Sequence, residues 1–353
     1  MPDESGVDGM CQKTNISTRT SRRQRSGHAS TVLPVVLLIL SATVAAGSQP
    51  TDSTIVMARE KFEAGKYEEA ASLLQAALVQ EPRNSSLAFW LMRNHYELDR
   101  IDEAIRWAER AVQLEPSNSE FHQWLGRAYG RKAEKTRSFS YARKTRAEFE
   151  TAVSLNPANL SGRRDLMEFY LDAPWILGGG KDKGWRQAEA IAALDAVEGC
   201  LAHGSYWQAV GKAKSAEAEY AKALDSRPAR LEPYFEIADF YQAREDAARL
   251  EATLDAAARV NPRDLRLNFY RGVACILARK RLAEGEQLLK TYLATAPKRR
   301  DFPSPASAHV SLGRLDEQLG KSALAAEQYQ AALALDPGNK DAREGWRRTS
   351  KTR

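Results

Sequence analysis

The sequence predicts an all-α chain built as an α-solenoid of stacked helix pairs, and three observations lead there. Ala, Leu, Glu, Arg and Gln are frequent while β-branched residues thin out after residue 60, a composition that loses little side-chain entropy in helices. A period of 34 residues superimposes Pro82 on Pro116, Ala70 on Ala104, Ala77 on Ala111 and Met57 on Leu91. Prolines recur at 82, 116, 157, 228, 262, 297 and 337, each placed to end a second helix because proline has no N–H to donate. A fixed period of this size marks a chain of repeated supersecondary units.

The first 47 residues read differently. Arg19, Arg22, Arg23 and Arg25 precede an apolar run from Val32 to Leu40, followed by small residues Ala42, Ala45, Ala46, Gly47 and Ser48. That order of charged, apolar and small residues predicts a secretory signal peptide, cleaved after Ala46 or Gly47. The apolar core is short for a bilayer span, which takes about 20 residues; an uncleaved membrane anchor is the alternative. Cleavage leaves 47 basic and 43 acidic residues, a net charge of +4, too mild and too dispersed for a nucleic-acid binder. It also leaves two cysteines, Cys200 and Cys275, too few for a disulfide framework in an oxidising compartment.

The segment from Ser85 to Pro116, with Leu91, Ala104, Ala108, Ala111 and the closing Leu114-Glu115-Pro116, resembles a tetratricopeptide repeat. The skeleton recurs as Leu125-Gly126, Tyr129, Phe149, Ala152 and Pro157, as Ala216, Tyr220, Ala223 and Pro228, as Ile237-Ala238, Tyr241, Leu254, Ala257 and Pro262, and as Leu312-Gly313, Ala325, Tyr329, Ala332 and Pro337. Eight units are expected, at about 51–84, 85–118, 119–159, 160–196, 197–230, 231–264, 265–299 and 306–339, with a capping helix at 340–351. Met92 and Met167 stand where the family favours a small residue, and Gly285 and Tyr292 where it favours Ala. The resemblance implies a right-handed superhelix whose first helices line a concave groove, and it implies protein or peptide partners rather than catalysis. Beyond the regular repeat, about seven residues in unit 3, about nine in unit 4 and the Lys298–Pro305 linker are in excess, and repeat arrays place function in such additions.

One addition contains Leu177-Gly178-Gly179-Gly180-Lys181-Asp182-Lys183, a composition suited to wrapping backbone amides around phosphate. A phosphate loop of the Walker type needs a glycine five residues before its Gly-Lys pair, Ser or Thr after the lysine, and a preceding strand. Trp175, Asp182 and a helix occupy those places, so the stretch reads as a turn that tolerates positive φ, with helix B resuming near Trp185. Trp175, Ile176 and Leu177 then either tuck onto the array or touch a partner. Histidines 95, 122, 203 and 309 lack ligand spacing and read as packing residues; Trp90 and Trp124, 34 apart, read as structural.

Arg59, Arg93 and Arg127 recur at the same position of the first helix in units 1, 2 and 3. Arg59 with Glu63 and Arg93 with Glu97 form i,i+4 pairs on paper, whereas Arg127 is followed by Arg131, Lys132 and Lys135 without evident compensation. The alternatives are a groove that takes an acidic partner and a solvated helix surface. The family's carboxylate clamp is not reproduced: its Lys and Asn positions differ, with Ile55 at one of them. The expectation is therefore an exported, non-catalytic scaffold without cofactor or metal, binding an acidic protein or peptide through Arg59, Arg93, Arg127, Arg131, Trp175, Ile176 and Leu177. The alternatives are a self-assembling structural component and an enzyme or sugar-handling factor using the additions in units 3 and 4.

Overall fold

The computed structural model describes residues 50–350; the expected leader and its cleavage position lie outside the described residues. Seventeen α-helices follow one another among them, with no strand. They pair as α1 (Pro50–Glu63) with α2 (Tyr67–Gln80), α3 (Ser85–Glu97) with α4 (Ile101–Leu114), α5 (Ser119–Thr136) with α6 (Phe139–Leu155), and α7 (Leu160–Asp172) with α8 (Lys181–Ala192). The series continues with α9 (Ala196–Ala209) and α10 (Ala213–Asp225), α11 (Glu232–Ala243) and α12 (Ala247–Val260), α13 (Arg266–Ala278) and α14 (Leu282–Thr295), α15 (Pro305–Gln318) and α16 (Ser322–Leu335), then α17 (Lys340–Ser350). No helix of the described residues is long and apolar enough to cross a membrane.

The local signals that start these helices are explicit. Asn84, Asn118 and Asn159 each accept a backbone N–H of the following first turn, satisfying donors that a helix leaves unpaired. The alanines aligned by the period are fully buried, with Ala70, Ala104 and Ala111 at 0% exposure. Met57 does not follow Leu91 into the core and is 46% exposed, because no unit precedes α1 among the described residues.

The unit-to-unit differences are compensated in volume. A Cβ at Gly126 would lie 2.5 Å from the ring of Phe149, and at Gly313 2.7 Å from Tyr329, so a large residue on the second helix requires a bare backbone on the first. Where the first helix carries Met92 or Met167, the second presents Ala108 or Ala188 in the same buried cluster. These substitutions exchange bulk across one contact and keep the core filled, as close packing demands.

The additions also resolve. Unit 3 lengthens α5 to 18 residues and α6 to 17, against 12 to 14 in the other paired helices. Unit 4 inserts one turn of 3-10 helix, Trp175–Leu177, followed by the glycines. Helix α8 begins at Lys181 rather than near Trp185, since Gly180 already accepts the amides of Lys183 and Gly184.

Candidate partner-binding groove

The three expected arginines do stand together, interleaved with tryptophans. The Arg59 guanidinium lies 5.4 Å from the Trp90 ring centre, Arg93 lies 5.3 Å from Trp90 and 4.1 Å from Trp124, and Arg127 lies 4.5 Å from Trp124. Each such contact is worth about 0.5–2 kcal/mol depending on hydration. Trp90 and Trp124 are therefore the plates between which the arginines are held.

Their charge is handled differently from the sequence expectation. Glu63 pairs with Arg299 and Glu97 with Arg300, not with Arg59 and Arg93. Arg127 is compensated: its Nε donates to Asp165 at 2.7 Å and its Nη2 to the second carboxylate oxygen at 3.1 Å. Arg131 lies 3.5 Å from Asp99 and from Glu134, Lys132 lies 2.7 Å from Asp102, and Lys135 also pairs with Asp99. Asp99 and Asp102 come from the turn before α4 and its first residues, 30 to 36 residues earlier, where counting along one helix cannot find them, whereas Glu134 lies three residues along α5 itself.

Neither Arg59 nor Arg93 has an ion pair among the described residues, and of the two Arg93 is the one that lines a cavity. No carboxylate pairs with it among the described residues, its Nε is buried without a hydrogen-bond partner, and burial lowers its pKa. Glu120, Glu97 and Glu63 act on it only through space, and a guanidinium held between two indole rings with no carboxylate in contact favours an incoming anion.

Arg93 lines a cavity of about 890 Å³, and all three additions converge on it. The extended ends of α5 and α6 contribute Arg131, Glu134 and Phe139; the unit 4 insertion contributes Leu177; the linker after α14 contributes Arg299, Arg300 and Asp301. Trp124, Phe149 and Phe169 supply apolar wall. Phe139 is 62% exposed.

On the opposite wall, Glu168 has no ion pair of its own among the described residues, because Arg127 is committed to Asp165 and Arg164 to Glu198 and Glu236. Its side chain reaches solvent within the cavity, yet the protein around it removes much of its hydration. That burial, with the adjacent charge of Asp165, pushes its pKa up to about 7.

The unit 4 insertion is not a phosphate cradle. The amides of Gly178, Gly179 and Gly180 donate to the carbonyls of Trp175, Pro174 and Tyr170, and Lys183 donates to the Gly178 carbonyl at 2.9 Å. Gly178 has φ of +93°, and a Cβ on Gly179 would lie 1.7 Å from the Ala173 carbonyl oxygen. Glycine is thus required by the closing of the loop itself. Leu177 is 5% exposed and takes the inward alternative, while Trp175 at 84% and Ile176 at 58% remain outside.

Three of the four histidines among the described residues have polar or ring partners, while His95 is buried with neither ring nitrogen hydrogen-bonded. His122 lies 2.6 Å from Glu148 and 2.9 Å from the Pro116 carbonyl, His309 lies 2.8 Å from Gln328, and His203 stacks on Trp185. No cluster of three metal-ligating side chains occurs among the described residues.

Family models of the tetratricopeptide repeat match residues 61–128 and 298–340. No curated protein matches the chain. Among solved structures, a thermophilic tetratricopeptide repeat protein of Thermus thermophilus is 22% identical, with 53% of this chain and 97% of that one covered and a TM-score of 0.45. A tetratricopeptide repeat protein of Parabacteroides merdae is 15% identical, with 85% and 98% covered and a TM-score of 0.43. The APC/C hetero-tetramer Cut9–Hcn1 is 13% identical over 85% of this chain and 56% of that one, with a TM-score of 0.49.

Proposed function

We infer, from the premise that the chain is a tetratricopeptide repeat protein, that it is a non-catalytic scaffold holding a segment of another protein in the cavity between α3, α5 and α7. The single observation that carries this reading is convergence: every departure from the regular repeat in units 3, 4 and 7 contributes a side chain to one cavity. Structural necessity alone would scatter such additions along the array. The cavity admits an aromatic or aliphatic side chain against Trp124 and Phe169, and Arg93, which has no carboxylate in contact among the described residues, offers a positive charge to a carboxylate beside it.

The acidic partner is therefore assigned chiefly to Arg93. Arg59 is a secondary contact outside the cavity lining, since the residue is exposed, and Arg127 and Arg131 shape the wall through their own ion pairs. Trp175 and Ile176 provide an apolar edge outside the cavity.

The test is photo-crosslinking from the position of Phe139 in the full-length protein in its native host. Mapping the crosslinked partner peptide by mass spectrometry should find a carboxylate-bearing segment whose yield falls in an Arg93→Gln background. Adducts unaffected by Arg93→Gln contradict the reading. We further propose export by the N-terminal leader; N-terminal sequencing of the native protein should begin after Ala46 or Gly47, and recovery of Val35 to Leu40 would show a retained anchor instead.

A further inference from the structure

The connection between α14 and α15 departs from every other junction between units. It runs nine residues, 296–304, against three to six elsewhere, and it crosses to α1, α2 and α3. The Tyr67 hydroxyl donates to the Lys298 carbonyl at 3.1 Å. Arg299 pairs with Glu63. Arg300 donates to the Tyr96 carbonyl at 3.1 Å, lies 5.0 Å from that ring's centre, and sits 3.6 Å from Glu97 and 3.5 Å from Asp99.

The far end of this strap is held separately. Arg266 lies 5.3 Å from the Phe302 ring centre, and the Tyr292 hydroxyl donates to the Pro303 carbonyl at 2.5 Å. Tyr292 is the large residue standing at a position where the other units carry alanine; its hydroxyl reaches the strap. Arg300 and Asp301 line both the 890 Å³ cavity and a second cavity of about 480 Å³ between α11 and α13. The strap is therefore a partition across the groove.

Its seat is built for a cation. The Glu97 side chain is 10% exposed, and burial raises its pKa while Arg300 opposes that shift. The strap is nevertheless lightly held: Glu63 and Asp99 are about half exposed, and exposed ion pairs are individually weak.

We propose that Lys298–Pro303 is a tethered occupant of the groove, and that the seat formed by Glu63, Tyr96, Glu97 and Asp99 is a docking site for an extended partner segment bearing two adjacent arginines, which takes the strap's place. This rests on the reading that the groove is the partner-binding face, but on different residues and the opposite charge from the Arg93 contact. A segment tethered nearby competes at millimolar effective concentration, so a free segment must out-compete it.

Fluorescence anisotropy with a fluorescein-labelled synthetic peptide of Pro297 to Pro305 tests this on the full-length protein. Wild type should bind weakly, and Arg299→Ala/Arg300→Ala, with the seat vacated, about 10- to 100-fold more tightly. Adding Glu97→Gln to that variant should reverse the gain. Circular dichroism establishes folding, and Arg300→Gln alone serves if the double variant is unstable. Equal affinity for wild type and vacated protein, or equal binding of a peptide with both arginines replaced by glutamine, overturns the proposal. Arg93→Gln should hold or strengthen this binding, because it removes a positive charge that acts on Glu97, while weakening the carboxylate-dependent crosslink, so the two readings fail separately.

Discussion

At the scale of single residues, charge in this groove is decided by what a side chain is denied. Glu168 is ionised with difficulty because burial and the adjacent Asp165 charge outweigh Arg164 and Arg127, which are paired with other acids. Its folded-state pKa of about 7 stands above the ordinary 4.5, so its contribution to stability is complete below 4.5 and is lost as the pH rises through about 7. Glu168→Gln removes that titration. Relative to wild type, the variant should therefore gain in urea midpoint between about pH 5 and about pH 8; a constant difference across that range would contradict the assignment. Arg93→Gln should lower the unfolding free energy by about 1–4 kcal/mol, since it loses its contacts with Trp90 and Trp124 but no ion pair, while weakening a carboxylate-bearing partner.

At the scale of elements, close approach between paired helices limits what can be changed. Ala104→Leu or Ala111→Leu forces bulk into contacts with no free space and should cost about 1–3 kcal/mol, read as a lower denaturant midpoint; unchanged midpoints in both would show the register is wrong. Gly179→Ala should be at least comparably damaging, because the added carbon meets backbone rather than a movable side chain. The helix pairs were legible because alanine and proline recur with the period, and the volume exchange at Met92 and Met167 was visible as departures at one position. The direction of Leu177 was not, since an apolar triplet before glycines fits either face. The inter-unit ion pairs of Arg131, Lys132 and Lys135 were hidden because their acids lie one unit back. The strap's destination was least legible: Lys298-Arg299-Arg300 meets Glu63 and Glu97 only through the path of the whole array.

At the scale of the whole array, units stabilise their neighbours, and the strap adds a contact between the α14–α15 junction and the first two units. Its loss should leave helical content unchanged and loosen α1 to α3, read as faster amide exchange there in Arg299→Ala/Arg300→Ala than in wild type. The convergence of the unit 3 extension, the unit 4 insertion and the strap on one cavity is what makes this groove more than a repeat surface. Paired photo-crosslinking from Phe139, inside the cavity, and Val79, 76% exposed on α2, tests that claim most directly. The account predicts a discrete partner adduct from Phe139, lost with Arg93→Gln, and none from Val79; the same adduct from both positions, indifferent to Arg93, would contradict it.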